Sequence, residues 1–222
     1  MQDSSDSNIT LTTRGTPVTS SLNPFPESVP TISSASISGT TKFGEVLTAG
    51  AGGVSGNPTP ILTYQWYRGG VTIDGATSST YTAGASDVGA QLSVRITATN
   101  RNGNPSATSV NTAAIGKATP TFGSWGAVTK AYGDATFPLT DPTSSTPGTF
   151  TYSSATTSVI SVSGSSATVV GAGTSVITAT FTPNDPANYI SGGTTTMTVT
   201  VGKATPTFTW SGVTKTYGDG NF

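Results

Sequence analysis

An internal repeat constrains this chain more than any other feature. The run Gly116-Lys117-Ala118-Thr119-Pro120-Thr121-Phe122 returns as Gly202-Lys203-Ala204-Thr205-Pro206-Thr207-Phe208, 86 residues later. Downstream, Val128-Thr129-Lys130-Ala131-Tyr132-Gly133-Asp134 returns as Val213-Thr214-Lys215-Thr216-Tyr217-Gly218-Asp219 at an offset of 85, one residue having been dropped in between. Self-similarity at a fixed period marks one structural module per copy, and this period suits a small β-sandwich. Phe222 aligns with Phe137, so the second copy covers about a quarter of the period. A quarter of a sandwich buries no core of its own. The expectation is a longer array whose next, incomplete repeat opens at residues 203–222. The alternative is a last strand that docks on a neighbour by strand addition.

Alternation fixes the secondary structure. In Gln91–Thr99, Leu92, Val94, Ile96 and Ala98 fall on one face and Ser93, Arg95, Thr97 and Thr99 on the other, the period of a half-buried strand. Ile61–Arg68 carries Leu62, Tyr64, Trp66 and Tyr67, and Gly44–Ala49 carries Val46 and Leu47. Gly56-Asn57-Pro58, Gly69-Gly70, Asp74-Gly75 and Asn102-Gly103 punctuate these runs as turns. After residue 116 the strand-like runs are Thr149–Ser153, Val159–Val162, Ala167–Val170, Ser175–Phe181 and Thr195–Val201, rich in β-branched residues. Short strands at regular spacing, with no helical segment, predict an all-β sandwich architecture.

Composition narrows the chemistry. Of the 222 residues 9% are charged, against about 25% in ordinary globular chains. The formal net charge of −1 offers no broad footprint for nucleic acid or an anionic membrane. Cys and His are both absent, which excludes disulfides, thiolate and imidazole metal sites, Cys and His nucleophiles and any Ser-His triad. No run approaches the ~20 apolar residues of a membrane helix. The amino terminus is polar and acidic, without the basic start and apolar run of a secretory signal.

Residues 1–30 differ from the rest, with three prolines near their end (Pro24, Pro26, Pro30) and little periodicity. They read either as a disordered tail or as an extended arm that orders on a partner, with Ile9, Leu11, Val18, Leu22 and Phe25 as its apolar anchors.

The run Tyr64-Gln65-Trp66-Tyr67-Arg68, followed by Ile73-Asp74-Gly75-Ala76-Thr77, Tyr81, Asp87-Val88-Gly89 and Leu92-Ser93-Val94, resembles bacterial immunoglobulin-like surface modules. Ser158-Val159-Ile160-Ser161-Val162, Val169-Val170-Gly171-Ala172-Gly173-Thr174 and Ile177-Thr178-Ala179-Thr180 resemble the repeats of this kind in adhesins and phage structural proteins. The resemblance covers residues 31–222. It implies a core Trp on the third strand and an Asp-x-Gly corner, so Trp66, Tyr81, Asp87, Leu92, Val94 and Ile96 are expected to form the structural core of the first module. The Tyr and Cys that antibody-type domains place after the corner are here Gln91 and Ser93. The expected fold is all-β: an extended N-terminal arm (1–30), an immunoglobulin-like sandwich (31–116), a bacterial immunoglobulin-like repeat (117–202) and the start of another (203–222).

Each candidate site has a structural reading beside the functional one. Tyr64, Trp66, Tyr67 and Tyr81 form either a platform for sugar rings or, for Trp66 above all, core. Trp125 and Trp210 read as core or interdomain packing. Asp134 and Asp219, after Tyr132-Gly133 and Tyr217-Gly218, read as turn caps. Asn184, Asp185 and Asn188 read as a plain loop between prolines rather than a calcium site, which needs six to eight oxygens. Asp74 and Asp87 are the one conceivable carboxylate pair for glycoside chemistry, but each has a turn or corner role. Arg68, Arg95 and Arg101 are expected to share a face as a small basic patch. Asn8-Ile9-Thr10 fits a glycosylation sequon and is uninformative.

No catalytic, cofactor or metal site follows. The resulting expectation is a non-enzymatic display protein of a bacteriophage virion, a capsid decoration or tail-associated component. It is multimeric on the particle, bound to other virion proteins through residues 1–30, with host-surface glycans as a second contact. Pro in each Gly-Lys-Ala-Thr-Pro linker stiffens the string of modules. The alternatives are a stalk segment of a bacterial cell-surface adhesin and a carbohydrate-binding module.

Overall fold

The computed structural model describes residues 8–13, 16–21, 26–212, 214 and 216–218. Its contacts divide the chain into two compact units, Met1–Ala118 with Ala187–Tyr189, and Thr119–Pro186 with Ile190–Phe222. Before the first sandwich, strands β1 (Asn8–Thr13) and β2 (Thr16–Ser21) pair antiparallel, with Leu11 opposite Val18 and Ile9 opposite Ser20. The extended backbone expected here is thus folded back as a ribbon. Leu22 and Phe25 lie outside the described residues.

In the first unit, β3 (Ser28–Thr31) pairs with β6 (Ser55–Asn57). Strands β4 (Ser34–Ser38), β5 (Val46–Gly52) and β9 (Thr80–Thr82) form one three-stranded sheet in the order β4-β5-β9. The other sheet has the order β8-β7-β10-β11, with β7 at Ile61–Arg68, β8 at Val71–Thr72, β10 at Leu92–Thr99 and β11 at Ser106–Thr108. A 3-10 turn, Ala85–Asp87, links β9 to β10. A three-stranded sheet β4-β5-β9 and a four-stranded sheet β8-β7-β10-β11, both antiparallel, make an immunoglobulin-like sandwich.

The alternation of β10 dictates the packing. Leu92, Val94, Ile96 and Ala98 are fully buried, and the register sets Val94 opposite Trp66 and Ile96 opposite Tyr64. Leu47 from the facing sheet and Ile115 complete this core. Gly69 and Gly70, at φ +54° and +82°, join β7 to β8. Two successive positive φ values are what a tight hairpin turn matching strand twist requires.

The second unit is also built of a four-stranded and a three-stranded sheet, but its first strand joins the larger one. Its sheets run β12-β18-β17-β14 and β13-β16-β15, from β12 (Val128–Ala131), β13 (Phe137–Pro138), β14 (Gly148–Ser154), β15 (Ile160–Ser163), β16 (Ser166–Val169), β17 (Gly173–Pro183) and β18 (Thr194–Gly202). Strand β12 runs parallel to β18, with Val128 opposite Val199. Ile160, Ala167, Ile177 and Val199 are fully buried at its centre. At one end Phe122, Phe150 and Phe181 form a triad, with centroid separations of 4.9–5.8 Å and inclined rings, the geometry that aromatic quadrupoles favour. Buried Ser175 is satisfied by Ser154 Oγ at 2.8 Å and by the Thr156 N–H at 3.0 Å.

Two sequence expectations change. Residues 28–30, grouped with the arm by composition, belong to the sandwich, because Pro30 is buried and an edge strand tolerates its missing N–H. Trp210, expected to pack as Trp125 does, is 91% exposed, and Phe208 is 93% exposed. Trp125 packs on Tyr152 with centroids 5.5 Å apart and donates Nε1–H to the Thr140 carbonyl at 2.9 Å.

Candidate functional site

Asp87 organises the polar side of the first unit. It is fully buried, and its carboxylate accepts from Arg68 Nε at 2.6 Å, Tyr81 Oη at 2.8 Å and the Gly84 N–H at 2.6 Å. The bond to Asp87, followed by the attraction of its charge, raises the Arg68 pKa further. Burial, then the bond to Asp87, pushes the Tyr81 hydroxyl above its ordinary value. Asp87 is therefore a corner brace and is not open to pair with Asp74, which lies in the turn after β8. Trp66 is fully buried, stacks on Tyr81 at 5.5 Å and donates Nε1–H to the Ser78 carbonyl at 2.9 Å. The Trp66 ring is therefore closed to a sugar, while Tyr81 is half-buried.

The three arginines do not share a face. Arg68 turns inward to Asp87. Arg101, in the turn after β10, pairs with Glu27. Only Arg95 stands on the outer face of the four-stranded sheet. The register explains the split: Arg68 lies opposite inward-facing Leu92, whereas Arg95 has the opposite parity.

On that outer face, Tyr67, Gly70, Ser93, Arg95, Ser106 and Thr108 line an open depression of about 460 Å³. Thr108 is directly opposite Arg95 in the ladder, and Tyr67 is opposite Ser93. Arg95 Nε donates to Ser106 Oγ at 3.0 Å. The wet face of β10 was legible from its alternation. The hydroxyls of β11 were not, since three residues carry too little pattern to be recognised as a strand. The second unit has a depression of about 410 Å³ lined by Asp141, Phe150 and Tyr152. There the Tyr152 hydroxyl donates to Asp141, and burial followed by that bond raises its pKa.

The remaining candidates are structural. Asp134 Oδ2 accepts the Ala131 N–H at 2.9 Å, closing its turn; Asp219 lies outside the described residues. The Asn184 N–H donates to the Pro147 carbonyl at 3.0 Å, tying that loop to its own sandwich. Among the described residues no three carboxylates gather as a metal site, and no helix is long and apolar enough to cross a membrane. An asparagine cluster clamps the segment that leads into β3. Asn57 Nδ2 donates to the Pro26 carbonyl at 3.1 Å, and Asn100 Nδ2 donates to those of Ser28 and Pro58 at 3.0 and 2.9 Å.

No family model matches this sequence, and no curated protein matches it. Among solved structures it is similar to the titin domains Z1Z2 in complex with telethonin, at 16% identity and a TM-score of 0.35, over 82% of this chain and all of that one. It is also similar to the insect immune protein hemolin, at 14% identity and a TM-score of 0.33, over 84% of this chain and 49% of that one. Against Sidekick-1 immunoglobulin domains 1–5 the values are 19% and 0.26, over 72% and 34%. The chain thus spans about half the length of hemolin and a third of the Sidekick-1 segment.

Proposed function

We propose that this chain is a non-enzymatic display and adhesion protein of a bacteriophage particle, a capsid decoration or tail-associated component. Residues 1–30 would attach it to other virion proteins, and its immunoglobulin-like sandwiches would meet the host surface. The observation that carries this reading is the division of labour among ionisable groups. Asp87, Asp134 and Asp141 brace corners and turns, while the outer face of β8-β7-β10-β11 keeps Ser106, Thr108 and Arg95 toward solvent. Such a surface suits weak, repeated contact rather than turnover, and many copies on one particle would sum that contact by multivalency. Sparse charge and a Ser/Thr content of about a third support a protein that works outside a cell.

The repeat favours a second reading, the stalk of a bacterial surface adhesin, because copied linkers and strand openings are what stalk arrays contain. Fractionation of the native source separates the two. Recovery with purified particles supports the virion reading, and recovery with the cell envelope supports the stalk. Deleting residues 1–25 spares β3 and its asparagine clamp. The shortened protein should keep its β-rich circular dichroism and lose particle incorporation, and undiminished incorporation would refute attachment through the arm.

A further inference from the structure

We propose that the outer face of β8-β7-β10-β11, centred on Arg95, binds acidic saccharides. The guanidinium takes a carboxylate or sulfate, and the surrounding hydroxyls take ring hydroxyls. The inference rests on the reading of this sandwich as a module that acts by surface contact, and gives that contact a place and a ligand class.

Arg95 stands apart from its neighbours. Arg68 and Arg101 are each matched to a carboxylate, whereas among the described residues none lies within 4.0 Å of Arg95. Its one hydrogen bond among the described residues, Nε to Ser106 Oγ at 3.0 Å, fixes the plane of the guanidinium and leaves both terminal nitrogens to donate outward. That is the fork that recognises a carboxylate or sulfate through two parallel hydrogen bonds. In a chain with a net charge of −1 and only nine basic residues, this is a local anion site and not part of a broad basic field.

The surroundings select a polyol. Ser106 and Thr108 are exposed and each offers a hydroxyl that both donates and accepts; Ser93 is buried at the floor of the same depression, and Tyr67 supplies an aromatic ring to it. About 460 Å³ lies within the range of small-ligand sites, roughly 300–1,000 Å³. An acidic peptide fits less well. Peptides that add to sheets use the main-chain groups of an open edge, which in this sheet is the rim of β11 or β8, whereas the depression opens on the face across β7, β10 and β11.

The test titrates the full chain with an oligogalacturonate hexasaccharide, a heparin-derived hexasaccharide, neutral maltohexaose and a polyglutamate peptide, read by amide chemical shifts. Millimolar binding of at least one acidic sugar is expected, with shifts at Tyr67, Arg95 and Thr108 and none from maltohexaose. Arg95→Gln should weaken it at least tenfold and Arg95→Lys less, because the ammonium keeps the charge and loses the fork. Lys203→Gln, which removes a charge elsewhere, should leave binding unchanged. All three variants should melt at the wild-type temperature, since both positions are exposed. Equal binding of maltohexaose, equal binding of polyglutamate, indifference to Arg95→Gln, or silence at millimolar concentration would each overturn the proposal. Particle incorporation is scored separately. Normal incorporation without saccharide binding sinks this inference alone, and saccharide binding without incorporation sinks only the virion reading.

Discussion

Arg68 Nε donates to Asp87 Oδ1 at 2.6 Å, joining the end of β7 to the turn before β10. A buried carboxylate is tolerable only when paired and hydrogen-bonded, and Asp87 draws its three donors from β7, β9 and its own turn. Asp87→Asn removes the charge and leaves the guanidinium without its partner. Removing one member of a buried pair costs about 3–5 kcal/mol. The low end, about 3 kcal/mol, is expected because 35% of the Arg68 side chain remains in water. Urea denaturation of the variant measures this loss.

Tyr81→Phe deletes one donor and leaves Asp87 with two, so it should cost about 1.5 kcal/mol, the lower end for bonds to charged groups. It should also alter the pH response. Tyr81 and Tyr152 both titrate above their ordinary value of 10.0 in the fold. In the unfolded chain each ionises near 10, so above that pH the unfolded state has lost protons that the folded state retains. Their contribution is full below pH 10 and declines as pH rises through the folded values. Denaturation midpoints should fall from pH 9 toward strong alkali, and the Tyr81→Phe/Tyr152→Phe double variant should fall less steeply. Identical slopes would contradict this assignment.

The sequence showed strands wherever large apolar residues alternate with polar ones. Gln91–Thr99 and Ile61–Arg68 coincide with β10 and β7 to within a residue, because Trp66, Val94 and Ile96 are fully buried and leave no other face to bury. Strand β4, Ser-Ala-Ser-Ile-Ser, has the same alternation with side chains too small to stand out. Strands β8 and β13, at two residues each, exist only through their pairing. Gly56-Asn57-Pro58 looked like a turn, yet Asn57 is paired with Ser28, a contact between segments too far apart for local pattern to reveal. For the same reason the sequence alone presents Arg68, Arg95 and Arg101 as one patch. Parity within a strand was legible, but the alignment of Arg68 with Leu92 depends on register.

The phenylalanine triad of the second unit leaves no space at Gly148. A Cβ there would meet the Phe181 ring at 2.3 Å and the Thr182 carbonyl oxygen at 2.5 Å, and neither the buried ring nor the β17 backbone can yield cheaply. Gly148→Ala should destabilise this unit by about 1–3 kcal/mol, the usual range for overpacking. Gly126→Ala, where nothing lies within 4 Å, should be close to neutral. Thermal melts of the two variants make the comparison.

The asparagine clamp should control opening of the segment that enters β3. Asn100→Ala removes the donor to the Ser28 and Pro58 carbonyls while leaving the β7–β10 ladder intact. Amide hydrogen exchange should rise at residues 28–31 and 55–57 and stay unchanged at Val94 and Ile96, because local opening needs only this end of the sandwich to release. Acceleration throughout the unit would show that the clamp carries global stability instead.

The three tryptophans should separate by solvent access. Trp66 is fully buried, Trp125 is half-buried against Tyr152, and Trp210 is 91% exposed. Iodide, which does not enter protein interiors, should quench mainly Trp210, and Trp210→Phe should remove most of the quenchable emission and shift the remainder to the blue. Since Trp210 has no packing to lose, the substitution should change stability by less than about 0.5 kcal/mol. Trp66→Phe, by contrast, opens a void beside Leu47 and breaks the bond to the Ser78 carbonyl, so its melting temperature should drop by several degrees. If Trp210 instead resisted iodide, the copied segment at residues 203–212 would have found in solution a surface equivalent to the one that Tyr152 and Thr140 give Trp125.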